Sequence, residues 1–320
     1  MSRIIKKENL QRITLSIIIM LLIITHISGA IYGADEFPLT VEDALGRRVT
    51  INEVPERIIS LAPSNTQTLF AMGLEAKIVG VIAYDSAEGK GTIENVGDAF
   101  SLDFEKIVSL SPDLILAYGF ISDKDLKRFE DLGFLVIVVN ADNLSETLDL
   151  IDLVGKVTGC IERAHTLIED IQRRLDNIQS KVKDIPEDQR PRVFYEAMTD
   201  NSGIWTTGNS TFQNDLILWA GGTNIAANKG TGWFALNTED IIVLNPQVYV
   251  AGEASWEDLT VDKIKKRVGF NVVDAVKKDR VYLINPDIVS QPAPAIIEGI
   301  ETLARFFYPQ IFIEETQVEL

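Results

Sequence analysis

The side chains best equipped to hold a ligand in this chain are aromatic and neutral polar ones. Tyr84, Tyr118, Phe120 and Trp256 each follow an apolar run that reads as a buried strand, and Trp205 and Trp233 stand in Gly- and Thr-rich stretches that read as loops. Bare aromatic rings in loops are unfavourable, and as a group they suit a large, flat, partly apolar ligand. Ser64, Asn65, Thr206, Thr207, Glu253, Ser290 and Gln291 lie near strand ends and can bond amides or hydroxyls at a cleft rim. Ordinary packing accounts for any one of the aromatics equally well, and helix capping does the same for Ser64 and Asn65. The chemistry offered is stacking and hydrogen bonding.

Little in the chain supports catalysis. The two histidines, His26 and His165, fall in an N-terminal leader and a long helix, so no histidine cluster for a free metal ion is expected. There is no Gly-rich phosphate loop, no GxSxG element and no Cys–His pair. No enzymatic activity, no cofactor and no protein-borne metal site are expected; a metal would arrive inside its own chelate. The lone Cys160 cannot form an internal disulfide and reads as a small core residue near a helix start. Asn143 and Asn209 open glycosylation sequons, which matter only in a glycosylating host.

The first residues carry Arg3, Lys6, Lys7 and Arg12 against Glu8, followed by an uncharged apolar run from Ile13 to Ile27. That is the layout of a signal peptide, with Ser28 and Ala30 as the small residues of a cleavage site. The rival is a retained anchor, since the uncharged stretch runs on to Ala34, long enough to cross a bilayer. No cysteine lies near its end, which excludes a lipoprotein-type anchor. Either way the remainder is exported. Losing the leader's net +3 takes the formal charge from −17 to −20, a field that repels nucleic acid and anionic membranes.

Ligand groups at strand ends require strands, and these are legible. Phe37 to Ile51 alternates about Leu45-Gly46 as a hairpin; Ile58 to Ala62 and Lys77 to Ala83 read as buried strands separated by a helix that Ser64 or Asn65 caps and Gly73 stops. Alternating strands and helices imply an open, mainly parallel sheet. The segment Ser101 to Gly119 then aligns without gaps on Ala235 to Glu253 at a constant offset of 134, with Leu102, Glu105, Ile107, Leu110, Pro112 and Ala117 recurring as Leu236, Glu239, Ile241, Leu244, Pro246 and Ala251. Each copy reads as a short helix, a proline turn and a buried strand. Phe134 to Ala141 and Arg280 to Asn285 supply a further strand to each unit. Trp219, in the helix before Gly221, reads as core.

Between the units, Ile161, Ala164, Ile168, Ile171, Leu175, Ile178 and Val182 form an amphipathic stripe. A helix of about 22 residues would be roughly 33 Å long, enough to run across both units and restrain their closure. Membership of one lobe's core would give the same stripe. The expected organisation is a leader at 1–30, a first α/β lobe at 35–158, a linker helix at 160–184, a second lobe at 189–313 and a tail at 314–320.

These pieces together resemble the substrate-binding proteins of ABC importers for iron-siderophore complexes, haem and cobalamin. The matching strings are DALGRRVTI, PERIISLAPSNTQTLFAMG, DFEKIVSLSPDLIL, TEDIIVLNPQVYV and PAPAIIEGIETLARFFYPQIF, covering roughly Phe37 to Phe312. The resemblance implies two similar α/β lobes with central, mainly parallel sheets joined by one long α-helix, the class III periplasmic-binding-protein arrangement, acting as a monomer. It implies a small-molecule metal chelate held between the lobes and delivered to an ABC permease dimer, with no nucleic-acid partner. It also implies docking of one surface glutamate per lobe onto permease arginines, at Glu105 and Glu239; a glutamate complementing a helix dipole is the plainer reading of each. Two positions depart from the family: Ala295, where an arginine often follows Pro294, and Gln67, where glutamate is common. The alternative function for the same frame is a membrane-tethered ligand sensor.

Overall fold

The computed structural model describes residues 37–83, 85, 93–252 and 259–312. The chain divides into Met1–Phe37 and Pro38–Leu320. Of the former only Phe37 is described, so the expected leader lies outside the described residues, as does the tail. Among the described residues, every sheet lies in the second unit, from Pro38 onward.

The chain enters as an antiparallel hairpin, β1 (Leu39–Glu42) and β2 (Arg48–Ile51), turning through Gly46 at φ 72°. Next come β3 (Ile58–Ser60), α1 (Pro63–Ala71), β4 (Ile78–Val81) and β5 (Glu94–Asn95), then a two-rung hairpin of β6 (Gly97–Asp98) and β7 (Ser101–Leu102). The first lobe finishes with α2 (Phe104–Leu110), β8 (Leu114–Tyr118), α3 (Asp123–Asp131), β9 (Val136–Val139) and α4 (Leu144–Val157). Its parallel sheet runs β5-β4-β3-β8-β9. Strands covered on both faces become continuous apolar runs rather than alternating ones, and all four residues of β9 are buried.

After α5 (Ile161–Val182), the second lobe repeats the plan. It contains β10 (Arg192–Glu196), β11 (Met198–Asp200), β12 (Gly203–Thr207), α6 (Phe212–Trp219), β13 (Thr223–Asn224), β14 (Trp233–Leu236), α7 (Thr238–Leu244) and β15 (Val248–Gly252). It closes with α8 (Val261–Lys265), α9 (Asp274–Lys277), β16 (Val281–Ile284), α10 (Ile296–Phe307) and α11 (Pro309–Phe312). The parallel order β13-β10-β15-β16 matches β4-β3-β8-β9 strand for strand. Each lobe has its own core, around Ile115 and Phe129 in the first and around Tyr249 and Phe270 in the second.

The offset of 134 read in the sequence holds in the structure. Asp103 caps α2 as Asn237 caps α7, and the helices end in left-handed residues at Ser111 (φ 47°) and Asn245 (φ 44°). Beyond each, β8 and β15 begin at equivalent positions. Arg57 donates to the Leu110 carbonyl and Arg192 to the Leu244 carbonyl, satisfying groups that a helix C-terminus leaves open.

The linker α5 belongs to neither core alone. Arg163 donates to the Met72 carbonyl of the first lobe, while Arg174 forks onto Glu301 at 2.8 and 2.7 Å and Gln179 donates to the Trp219 carbonyl at 2.6 Å in the second. Two expectations are corrected. Helix α1 is capped by Ala62, without a side-chain bond, and not by Ser64 or Asn65: Pro63 takes the first helical position, where its missing N–H costs nothing and its fixed φ suits the turn. Trp219, the last residue of α6, is only partly buried because it stands where that helix meets α5.

Candidate ligand-binding cleft

Two bonds fix how the lobes face each other. Gln67 Nε2, on α1 just beyond β3, donates to Gln291 Oε1, beyond β16, at 2.8 Å. The Leu144 N–H, opening α4 just beyond β9, donates to Asp215 Oδ2 on α6 at 2.9 Å. In both cases the first helix of one lobe meets the start of the last long helix of the other, or the turn leading into it. Both ties join regions past the carboxyl ends of the strands, so those edges oppose one another, and the crevice of an open α/β sheet lies there.

On the first wall, Tyr118 ends β8 and is locked to Ala141: its hydroxyl donates to the carbonyl at 3.0 Å and accepts the N–H at 3.2 Å. Burial raises its pKa, the backbone bond to Ala141 opposing. Its ring lies 5.2 Å from that of Phe120, which is half exposed, so Tyr118 props the ring that is free to touch a ligand. Ser64 and Asn65 are buried within α1. Asn65 Nδ2 reaches the Leu116 and Ala117 carbonyls at 3.2 and 3.4 Å, pinning the helix to the end of β8. Thr66 donates to the buried Asp85 at 2.6 Å, a polar contact at the mouth of β4 that sequence reasoning did not single out. Tyr84, Glu253 and Trp256 lie outside the described residues.

The second wall is built differently. Trp205 and Trp233, expected in loops, are in strands of an antiparallel sheet ordered β11-β12-β14. β11 and β12 form a local hairpin, but the pairing of β12 with β14 joins segments nearly 30 residues apart, which short Gly- and Thr-flanked runs do not reveal. The Ala197 N–H donates to the Trp205 carbonyl at 2.8 Å, hanging this sheet from the end of β10. Strand alternation turns Ile204, Phe234 and Leu236 to the core, and sets Trp205 and Trp233 on the opposite face with Met198. Met198 and Trp233 are exposed. The Trp205 Nε1 is buried with no hydrogen-bond partner among the described residues.

The polar candidates here are mostly engaged within the fold. Thr206 donates to the Tyr195 carbonyl at 2.7 Å, and Thr207 is bonded to Thr211, both hydroxyls being buried. Ser290 is exposed; burial pushes the Tyr195 phenol up to about 12, with the Ser290 side chain acting in the opposite direction. Gln291 forms the lobe-to-lobe tie. At the end of β10, buried Glu196 accepts from Arg267 at 2.6 and 2.8 Å, from Thr199 at 2.6 Å and from Tyr249 at 2.7 Å. This cluster escaped sequence reading because its members are scattered over 71 residues.

Ala295 borders a cavity of about 360 Å³ between α1, α5 and α10, with Gln67, Arg174 and Glu298 on its walls. Glu105 and Glu239 are exposed near the starts of α2 and α7 and make no hydrogen bond or ion pair among the described residues. Among those residues no group of three or more His, Cys, Asp or Glu could hold a metal ion, and no helix is long and apolar enough to cross a membrane.

Residues 58–288 match the family described as periplasmic binding protein. The chain is 37% identical over 292 residues to an uncharacterized ABC transporter substrate-binding lipoprotein of Bacillus subtilis, covering 90% of this chain and 91% of the relative. It is 29% identical over 284 residues to a cobalamin-binding protein of Halobacterium salinarum, covering 86% and 75%. Among solved structures, a possible iron-binding (periplasmic solute-binding) protein from Staphylococcus epidermidis superposes with a TM-score of 0.68 at 32% identity, over 80% of this chain and all of that one.

Proposed function

The chain belongs to the periplasmic binding protein family and is a substrate-binding component of an ABC importer; from that premise we propose that its cargo is a metal chelate, cobalamin foremost. The observation that carries the choice is the pair of aromatic walls at the opposed strand edges, Phe120 on one side and Trp205 and Trp233 on the other. Flat apolar faces suit a macrocycle. Ala295, in place of an arginine, supplies no cation for a strongly acidic ligand. The similarity to a cobalamin-binding protein points the same way.

The protein works outside the cytoplasm by capture, without covalent chemistry, as a monomer. Ligand displaces water from the crevice, and the two ties between the lobes keep closure small. The N-terminal segment serves export, as a leader cleaved after Ala30 or as a retained membrane anchor. Glu105 and Glu239, related by the internal repeat, meet cationic groups on the two halves of a two-fold permease.

Tryptophan-fluorescence titration of residues 31–320 with cobalamin, haem and ferric siderophores, corrected for inner-filter absorption, tests the cargo. Saturable binding of cobalamin alone is expected. Saturation by a siderophore or haem without cobalamin overturns the corrinoid reading, and no binding by any of them turns the interpretation to a tethered sensor. Glu105→Arg with Glu239→Arg abolishes uptake and leaves affinity intact; loss of affinity instead sinks the docking role.

A further inference from the structure

Among the described residues, three large apolar side chains stand almost fully in solvent: Phe100 at 91%, Val268 at 90% and Val243 at 84%, with the next at 53%. All three adjoin the two glutamate-bearing helices of the repeat. Val243 lies four positions after Glu239 on α7, hence on the same face, as Val108 lies three after Glu105 on α2. Phe100 is at the tip of the β6–β7 hairpin, three positions before the Asp103 cap of α2. Val268 precedes Gly269, which packs so closely on α7 that an added Cβ would come within 2.6 Å of Ile242 Cδ1.

Neither tip is slack. Gly97 takes φ 105°, the Asp103 N–H donates to the Val96 carbonyl at 2.8 Å, and the Phe100 N–H donates to Asp98 at 2.8 Å, fixing the hairpin. In the second lobe Arg267, the neighbour of Val268, is forked onto buried Glu196 and touches Tyr249, so an anchored arginine holds the valine out. An apolar group held rigidly in water loses little entropy on binding and removes its area from solvent when covered.

We propose that Phe100 in the first lobe and Val268 with Val243 in the second are apolar anchors that insert into the importer's membrane permease beside Glu105 and Glu239. The proposal rests on the docking role given to those glutamates. Two related helices, each carrying an unpaired acid with a bare apolar side chain on or beside it, fit a two-fold partner that offers a basic group next to an apolar recess once per subunit. The chain's strong negative charge disfavours an anionic lipid surface as the occupant.

The test is photocrosslinking in cells of the source organism, with full-length chain carrying benzoylphenylalanine singly at positions 100, 243, 268, 105, 239 and, as a control, 132. Adducts with an ABC-importer membrane subunit, identified by mass spectrometry, are expected at all positions except Leu132. Phe100→Ser with Val268→Ser should cut the adduct from position 239 at least tenfold while circular dichroism stays unchanged. Adducts at 105 and 239 but not at 100, 243 and 268 overturn the anchors and leave the docking glutamates standing. No permease adduct at any position removes the docking reading and the anchors with it. Adducts at 100 or 268 joining two copies of this chain overturn the permease as the occupant.

Discussion

The two lobes share a frame and differ at its functional edge. Strand order, the capped helix preceding each third strand, the left-handed residues at Ser111 and Asn245 and the arginines on the Leu110 and Leu244 carbonyls are common to both. The first lobe spends its extra chain on the β1–β2 hairpin, fastened to edge strand β9 through buried Asp43, which accepts from Arg47 and from the Val138 N–H. The second instead adds the β11-β12-β14 sheet at the strand ends and backs it with the Glu196 cluster. Duplicated backbone logic thus sets where a crevice lies, and what differs between the copies sets what the crevice presents.

The comparison breaks most sharply at the buried carboxylates. Glu196→Ala leaves Arg267 and Tyr249 without their partner, and an uncompensated buried charge costs about 3–5 kcal/mol. Urea denaturation should show that loss, with hydrogen exchange rising in β10 and β15 but not in β3 and β8. Loss of protection in both sheets together would show that the lobes do not melt as separate units.

Alkaline titration gives the next largest difference. Burial raises Tyr195 to about 12 and Tyr249 well above its ordinary value, while the one first-lobe tyrosine among the described residues is the less buried Tyr118. These folded-state values lie above the unfolded ones, so the stabilisation is complete below about pH 10 and fades as pH climbs towards 12. For Tyr195 the shift corresponds to about 3 kcal/mol. The urea midpoint should therefore fall steeply above pH 10, and Tyr195→Phe should soften that fall; an unchanged slope would show that its phenol is not held neutral.

Smallest are the two ties between lobes. Asp215→Ala removes a charged acceptor from the Leu144 N–H, about 2 kcal/mol, and Gln67→Ala a neutral pair, about 1 kcal/mol. Small-angle scattering should show a larger radius of gyration for the double variant than for either single one. Equal radii in all three would mean that α5 alone restrains the lobes.

Much of the frame is legible in the sequence. The strands around Ile58, Leu114 and Val248, the hairpin turning at Gly46 and the helix from Ile161 all follow from local periodicity and turn residues, which act within a few positions. The candidate site is less so. Trp205 and Trp233 stand out as aromatics, yet their strand pairing does not; Thr206 and Thr207 look available to a ligand although both hydroxyls bond within the fold.

The sequence by itself determined the repeated plan, its register and its capping residues, because these depend on hydrophobic spacing and on backbone preferences of single residues. Only the tertiary structure decided which side chains remain free at the strand edges. Gln67 meets Gln291 across 224 residues and Leu144 meets Asp215 across 71, and no local pattern encodes a partner at such a distance. Close packing of two lobes around one helix selects those contacts, and by using up Gln291, Thr206 and Thr207 it leaves Phe120, Met198 and Trp233 exposed.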